Sequence, residues 1–142
     1  MKKFEIIDIT TADIAFKAYG KDINELFENS AMAMFNIMSN VSKVKQKIKK
    51  DVKCEAMDIQ SLMFNWLNEL LFLSDSESLI FSFFEVDIKK LDEKKFVLNA
   101  ICKGEKIDEK RHEINTHIKA ATYHNMKIEK NDFWEAQVIL DV

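Results

Sequence analysis

The stretch Ala12-Asp13-Ile14-Ala15-Phe16-Lys17-Ala18-Tyr19-Gly20-Lys21-Asp22-Ile23-Asn24-Glu25 contains a change of hydrophobic period. Over Ala12 to Tyr19, Ile14, Phe16 and Ala18 fall on one side and Asp13, Ala15, Lys17 and Tyr19 on the other, the alternation of a β-strand. Gly20 ends the strand. Asp22 then stands at an N-cap with Glu25 at the reciprocal capping-box position, opening a helix to about Ser39. On that helix Ile23, Phe27, Ala31, Met34 and Met38 recur at helical spacing. A strand feeding directly into an amphipathic helix points to a fold that mixes both element types.

Upstream, Phe4 to Ile9 reads as another strand. Downstream, Val44, Ile48, Val52, Cys54 and Ala56 share one parity over Lys43 to Ala56, with a mostly Lys face opposite; we read that face as solvated and edge-protecting rather than as a nucleic-acid patch. Asp58 caps a second helix from about Ile59 to Leu73, with Ile59, Leu62, Met63, Trp66, Leu70 and Leu73 as its core stripe. Phe64, Leu67, Leu71 and Phe72 widen that stripe, so burial on more than one side is expected. Ser78 to Ile88, Lys95 to Lys103, Glu113 to Ile128 and Phe133 to Val142 read as four further strands or β-arms. The expected architecture is α+β, a two-layer sandwich of two main helices packed on a mixed or antiparallel sheet.

With 142 residues, no proline and glycine only at Gly20 and Gly104, the chain lacks the punctuation of an interdomain linker, and residues 1–142 are expected to form one domain. A chain of this size needs no disulfide or metal merely to fold. Cys54 and Cys102 stand alone, outside any CxxC, and read as free thiols of a reducing compartment. Lys plus Arg total 21 against 24 Asp plus Glu, and Arg111 is the single arginine, which argues against direct gripping of a phosphate backbone. The residues from Met1 to Glu5 turn acidic at once, and no run approaches the ~18 apolar residues of a membrane span. A cytoplasmic protein with no membrane partner is the expectation.

Nucleophile elbows, phosphate-cradling glycine loops and HExxH are absent from the sequence. His112, His117 and His124 are spaced by five and seven, which puts His117 out of parity with the other two and makes a three-His zinc site geometrically poor. Trp66 and Trp134 read as core. The anomaly is a carboxylate inside each of two apolar strand runs: Asp13 in Ala12-Asp13-Ile14-Ala15 and Asp141 in Val138-Ile139-Leu140-Asp141-Val142. Asp is disfavoured in strands and costly to bury ionised unless a cation or donor compensates. If the first and last segments meet, the two aspartates can share one ion, with Val142 adding a carbonyl and a terminal carboxylate. Hard oxygen donors select Ca²⁺, Mg²⁺ or Mn²⁺ over Zn²⁺. Two solvated strand-end aspartates are the competing reading.

At these residues the sequence resembles the archease family through nearly its whole length. The resemblance is carried by Thr11-Ala12-Asp13-Ile14-Ala15-Phe16-Lys17-Ala18-Tyr19-Gly20, by Leu26-Phe27-Glu28-Asn29-Ser30-Ala31 and by Trp66-Leu67-Asn68-Glu69-Leu70-Leu71. It continues through Arg111-His112-Glu113-Ile114, Ile118-Lys119-Ala120-Ala121-Thr122-Tyr123-His124 and Trp134-Glu135-Ala136-Gln137-Val138-Ile139-Leu140-Asp141-Val142. Archeases often carry His immediately before the Thr-Ala-Asp triplet, where this chain has Thr10.

The resemblance implies a non-catalytic activator of the GTP-dependent RtcB-type RNA ligase, promoting ligase guanylylation and multiple turnover in tRNA splicing and RNA repair. RNA would be met only through the ligase. The family's metal site carries over to Asp13, Asp141 and the Val142 backbone. Arg111, His112 and Lys119 are candidates for docking or orienting ligase phosphates, against an ordinary exposed strand face, and Glu69 for a cap or ion pair. Two other functions compete: a metal-dependent phosphoester hydrolase using Asp13 and Asp141, and a chaperone-like interaction module exposing the apolar helix from Ile59 to Leu73.

Overall fold

A computed structural model of the protein describes residues 2–10 and 12–142. The period change at Gly20 is realised as strand β2 (Asp13–Gly20) running into helix α1 (Ile23–Met38). Asp22 Oδ1 accepts from the Glu25 N–H at 2.8 Å, while Glu25 Oε1 reaches back to the Lys21 N–H at 3.2 Å, one residue before the position the capping box names. Gly20 is required here because a Cβ would run into the backbone of Leu26 in the first turn of α1.

Strand β1 (Phe4–Asp8) precedes this unit, and β3 (Ile48–Ala56), α2 (Ile59–Glu77), β4 (Leu79–Asp92), β5 (Lys95–Lys106), β6 (Ala120–Ala121), β7 (Lys127–Lys130) and β8 (Trp134–Asp141) follow. The fold is α+β. Of the mixed and antiparallel alternatives, every strand pairing is antiparallel, and the strands divide into two sheets. One has the order β1-β2-β8-β6, with β7 also pairing β8, and the other the order β3-β5-β4.

The helices join the sheets. One buried apolar cluster takes Phe16 and Ala18 from β2, Val138 and Leu140 from β8, Val52 and Cys54 from β3, Leu98 and Cys102 from β5, and both helix stripes. Burying each large side chain of this kind contributes about 1.5–3 kcal/mol. Helix α1 also closes the outer edge of β4: Glu28 Oε2 accepts the Val86 N–H and Asn24 Oδ1 the Ile88 N–H, both at 2.8 Å. These side chains do the work of a missing strand, since open edge amides otherwise invite aggregation.

Three expectations are corrected. Helix α2 extends past Leu73 to Glu77 and stops at Ser78, which adopts the left-handed conformation at φ 53°. Its buried residues Leu62, Met63, Trp66, Leu67, Leu70, Leu71 and Ser74 form one broad face rather than several sides, and Phe72 is 63% exposed. The third correction concerns Glu113 to Ile128, which forms no continuous strand: Ala120–Ala121 and the start of β7 pair with β8, and Ile114 makes a single bridge to Ser39. Its earlier part is tied to other elements instead, Ser39 Oγ donating to the Glu113 carbonyl at 2.6 Å and the Asn115 N–H to the Met38 carbonyl at 2.9 Å. A turn closed by the Met126 N–H on the Tyr123 carbonyl, with Asn125 at φ 50°, breaks the later part. Tertiary hydrogen bonds thus replace the ladder expected of this segment.

Trp66 is fully buried and donates its indole N–H to the Phe27 carbonyl at 3.0 Å. Leu70 is fully buried beside it. The apolar stripe of α2 is therefore consumed by the core, which counts against the chaperone-like reading. Trp134 is half-buried against the same core.

Candidate metal centre

In the β2–β8 ladder, the register pairs Asp13 with Asp141, followed by Ile14 with Leu140 and Ala15 with Ile139. The two anomalous aspartates therefore lie directly across from each other on one face of the sheet. That face is opposite the helices, because Phe16, Ala18, Val138 and Leu140, the alternate residues, enter the central apolar cluster.

The hydrogen-bond phase sets how close they are. The Val142 N–H donates to the Ala12 carbonyl at 3.1 Å, whereas the Asp141 carbonyl turns the other way and accepts from the Lys119 N–H at 2.8 Å. Asp13 and Asp141 thus form a non-hydrogen-bonded pair, the kind in which Cα atoms approach to about 4.5 Å and side chains sit closest. Across the same row, Ala120 pairs with Asp141 on the far side. A methyl group there leaves room around the carboxylates.

Both aspartates are half-buried. Among the described residues neither carboxylate takes part in an ion pair or a side-chain hydrogen bond. Like charges directly opposite each other destabilise a ladder. An unneutralised acidic pair with adjacent main-chain oxygen is a donor set that fits a hard divalent cation.

Thr10 contributes to that set. Its Oγ1 accepts from the N–H groups of Ala12 and Asp13, each at 3.1 Å. The Ala12 N–H, which would otherwise close the ladder on the Val142 carbonyl, is thereby diverted. The Val142 carbonyl stays available beside Asp141. The hydroxyl of Thr10 thus shapes the entry into β2.

No three His, Cys, Asp or Glu side chains are gathered as a metal-holding group among the described residues. The pair Asp13 and Asp141 is a two-carboxylate site that needs main-chain oxygen to be complete. The histidines are scattered: His117 and His124 are exposed, and His112 is buried in a separate cluster.

That cluster centres on Glu105, itself buried. Glu105 Oε2 accepts from the Lys45 N–H at 2.6 Å and faces His112 Nε2 at 3.1 Å; Oε1 is paired with Arg111. Because the Asp108 N–H donates to His112 Nδ1 at 2.9 Å, the ring carries its proton on Nε2 and donates it to Glu105. Burial by itself raises the Glu105 pKa, but the bonds from Lys45, His112 and Arg111 outweigh it and hold the carboxyl down at about 2. His112 is therefore engaged in anchoring the 107–119 segment and is buried away from any partner, whereas Arg111 pairs with Glu105 while its side chain stays 39% exposed. Lys119 has an exposed side chain and meets the aspartate site through its backbone alone. Glu69 caps nothing and makes no ion pair among the described residues.

Asn68, which sequence reasoning did not single out, ties helix α2 to β6. Its Oδ1 accepts the Ala121 N–H at 3.0 Å and its Nδ2 donates to the Ala121 carbonyl at 3.2 Å. The signal was present in the sequence: an amide directly after the apolar pair Trp66-Leu67 on the second helix.

Two antiparallel sheets bridged by two helices define a small α+β protein in which the strand register pairs two acidic residues on the outer face. The chain belongs to the archease family: residues 4–142 match the Archease protein family (MTH1598/TM1083). It is 43% identical over 143 residues to "Protein archease" of Sulfurisphaera tokodaii, and 44% identical over 144 residues to "Protein archease" of Pyrococcus abyssi, covering 100% of both chains in each case. The solution structure of Methanobacterium thermoautotrophicum Protein 1598 superposes with a TM-score of 0.83 at 38% identity, over 100% of each chain.

Proposed function

We propose that this chain is a non-catalytic, metal-binding activator of an RtcB-type RNA ligase, promoting ligase guanylylation and multiple turnover in tRNA splicing and RNA repair. Family membership supports the reading, and the observation that carries it is the Asp13–Asp141 pairing. Asp13, Asp141 and the Val142 carbonyl would hold the ion, calcium first, with magnesium or manganese as alternatives.

Ladder hydrogen bonds through Ala12 and Lys119 fix the backbone from which these oxygens project. A divalent ion supplies neutralisation of the negative charge that develops on phosphate oxygens during nucleotidyl transfer. Activation then requires docking to the ligase as well as ion binding. RNA is contacted only through the ligase, and the site of action is the cytoplasm. No helix among the described residues is long and apolar enough to cross a membrane.

The test is a ligation time course with limiting ligase, with and without this protein and with a chelator control. Conversion of stoichiometric ligation into repeated turnover supports the reading; an unchanged course rejects it. Product released by this protein alone, without ligase, would instead show a hydrolase.

A further inference from the structure

We infer that Asn68 is a positioning residue for the Asp13–Asp141 site, acting through β6; the inference rests on the metal-binding function proposed above. Strand β6 is only two residues long, too short to hold its register by itself. On one side it is tied to β8, by the Lys119 N–H on the Asp141 carbonyl at 2.8 Å and the Thr122 N–H on the Ile139 carbonyl at 3.1 Å. On the other side no further strand pairs with it among the described residues. Asn68 fills that place: its amide group both accepts from and donates to Ala121, reproducing the paired bonds of a neighbouring strand.

The clamp is rigid at its base. Asn68 Nδ2 also donates to the Phe64 carbonyl one turn earlier at 3.0 Å, and Trp66 and Leu67 beside it are fully buried. Helix α2 therefore sets the position of Ala120 and Lys119, which flank Asp141. Without the amide, the buried Ala121 N–H loses its acceptor, and the segment against Asp141 is free to shift. Small displacements matter because partners that orient metal ligands affect affinity nearly as much as some ligands do.

The experiment compares calcium affinity by titration calorimetry for the full chain and its Asn68→Ala and Asn65→Ala variants. Asn65 is the control: it lies on the same helix and bonds the Glu55 carbonyl at 2.9 Å, on the edge of the other sheet. The expected result is an affinity about 10-fold to 100-fold weaker for Asn68→Ala, with Asn65→Ala close to the unaltered chain. Amide exchange at Lys119 should also accelerate about 10-fold in Asn68→Ala, the scale of one lost hydrogen bond. Unchanged affinity in Asn68→Ala, or an equal loss in Asn65→Ala, overturns the positioning role while leaving the ion site standing. An unaltered chain that binds no calcium, magnesium or manganese overturns the metal reading itself, and this inference with it.

Discussion

Asp13 and Asp141 oppose each other at a non-hydrogen-bonded position of the β2–β8 ladder, half-buried and unneutralised by any side chain among the described residues. Their mutual repulsion penalises the ion-free fold and rewards a cation. In chelator, Asp13→Asn or Asp141→Asn should raise stability by about 0.2–1 kcal/mol, the scale of a cross-strand pair. In calcium the order reverses. The unaltered chain gains about 2.7 kcal/mol at a calcium concentration 100-fold above Kd, and neither variant gains it. Thermal melts with chelator and with calcium read both effects; variants that melt lower in chelator and keep the calcium shift would refute the site.

Glu105 supplies an acid-sensitive anchor. Its folded pKa of about 2 lies below the ordinary carboxyl value of 4.5, so its stabilisation is complete above about pH 4.5 and is lost as pH falls toward 2. Glu105→Gln should lose about 1.5–3 kcal/mol at neutral pH, the scale of hydrogen bonds to a charged group. The variant should also flatten the acid limb of a urea-denaturation series measured against pH. An unflattened limb would mean that other carboxylates govern acid unfolding.

Both thiols should be inert in the native state. Burial raises the pKa of Cys54 to about 11, with a further push from Glu69, and that of Cys102 to about 12, with contributions from Cys54 and Asp51. Thiolate is then scarce at neutral pH, and thiolate is the reactive form. A colorimetric thiol reagent should titrate neither cysteine in buffer and both in denaturant. Rapid native labelling of either would contradict their burial.

Trp66 ties the two helices together by packing and by one hydrogen bond. Trp66→Phe should cost about 0.5–1.5 kcal/mol through the lost indole hydrogen bond to the Phe27 carbonyl, and Trp66→Ala about 3–5 kcal/mol through the cavity. Urea unfolding monitored by circular dichroism measures both. Equal costs would assign the residue's role to the hydrogen bond alone.

Local chemistry was legible where it acts over a few residues. Asp22 and Asp58 announced their helices because a side-chain oxygen three residues ahead of an amide makes a cap without help from the rest of the fold. The apolar periods of β2, α1 and α2 were likewise readable, since alternation and helical spacing follow from backbone geometry alone. The segment from Glu113 to Ile128 was misread for the opposite reason. Its bonds go to Met38, Ser39 and Asp141, distant in the chain, and no local pattern records them.

The same division holds for the candidate site. Sequence alone marked Asp13 and Asp141 as out of place, because a carboxylate in an apolar strand conflicts with its neighbours wherever the strand goes. Only the tertiary structure decided that they meet. Their pairing depends on the β2–β8 register, where a shift of one residue would move one carboxylate to the opposite face. Asn68 and Ala120 come beside the site from elements distant in the chain, the one by its side-chain amide on Ala121 and the other by its register with Asp141, and no local pattern records either.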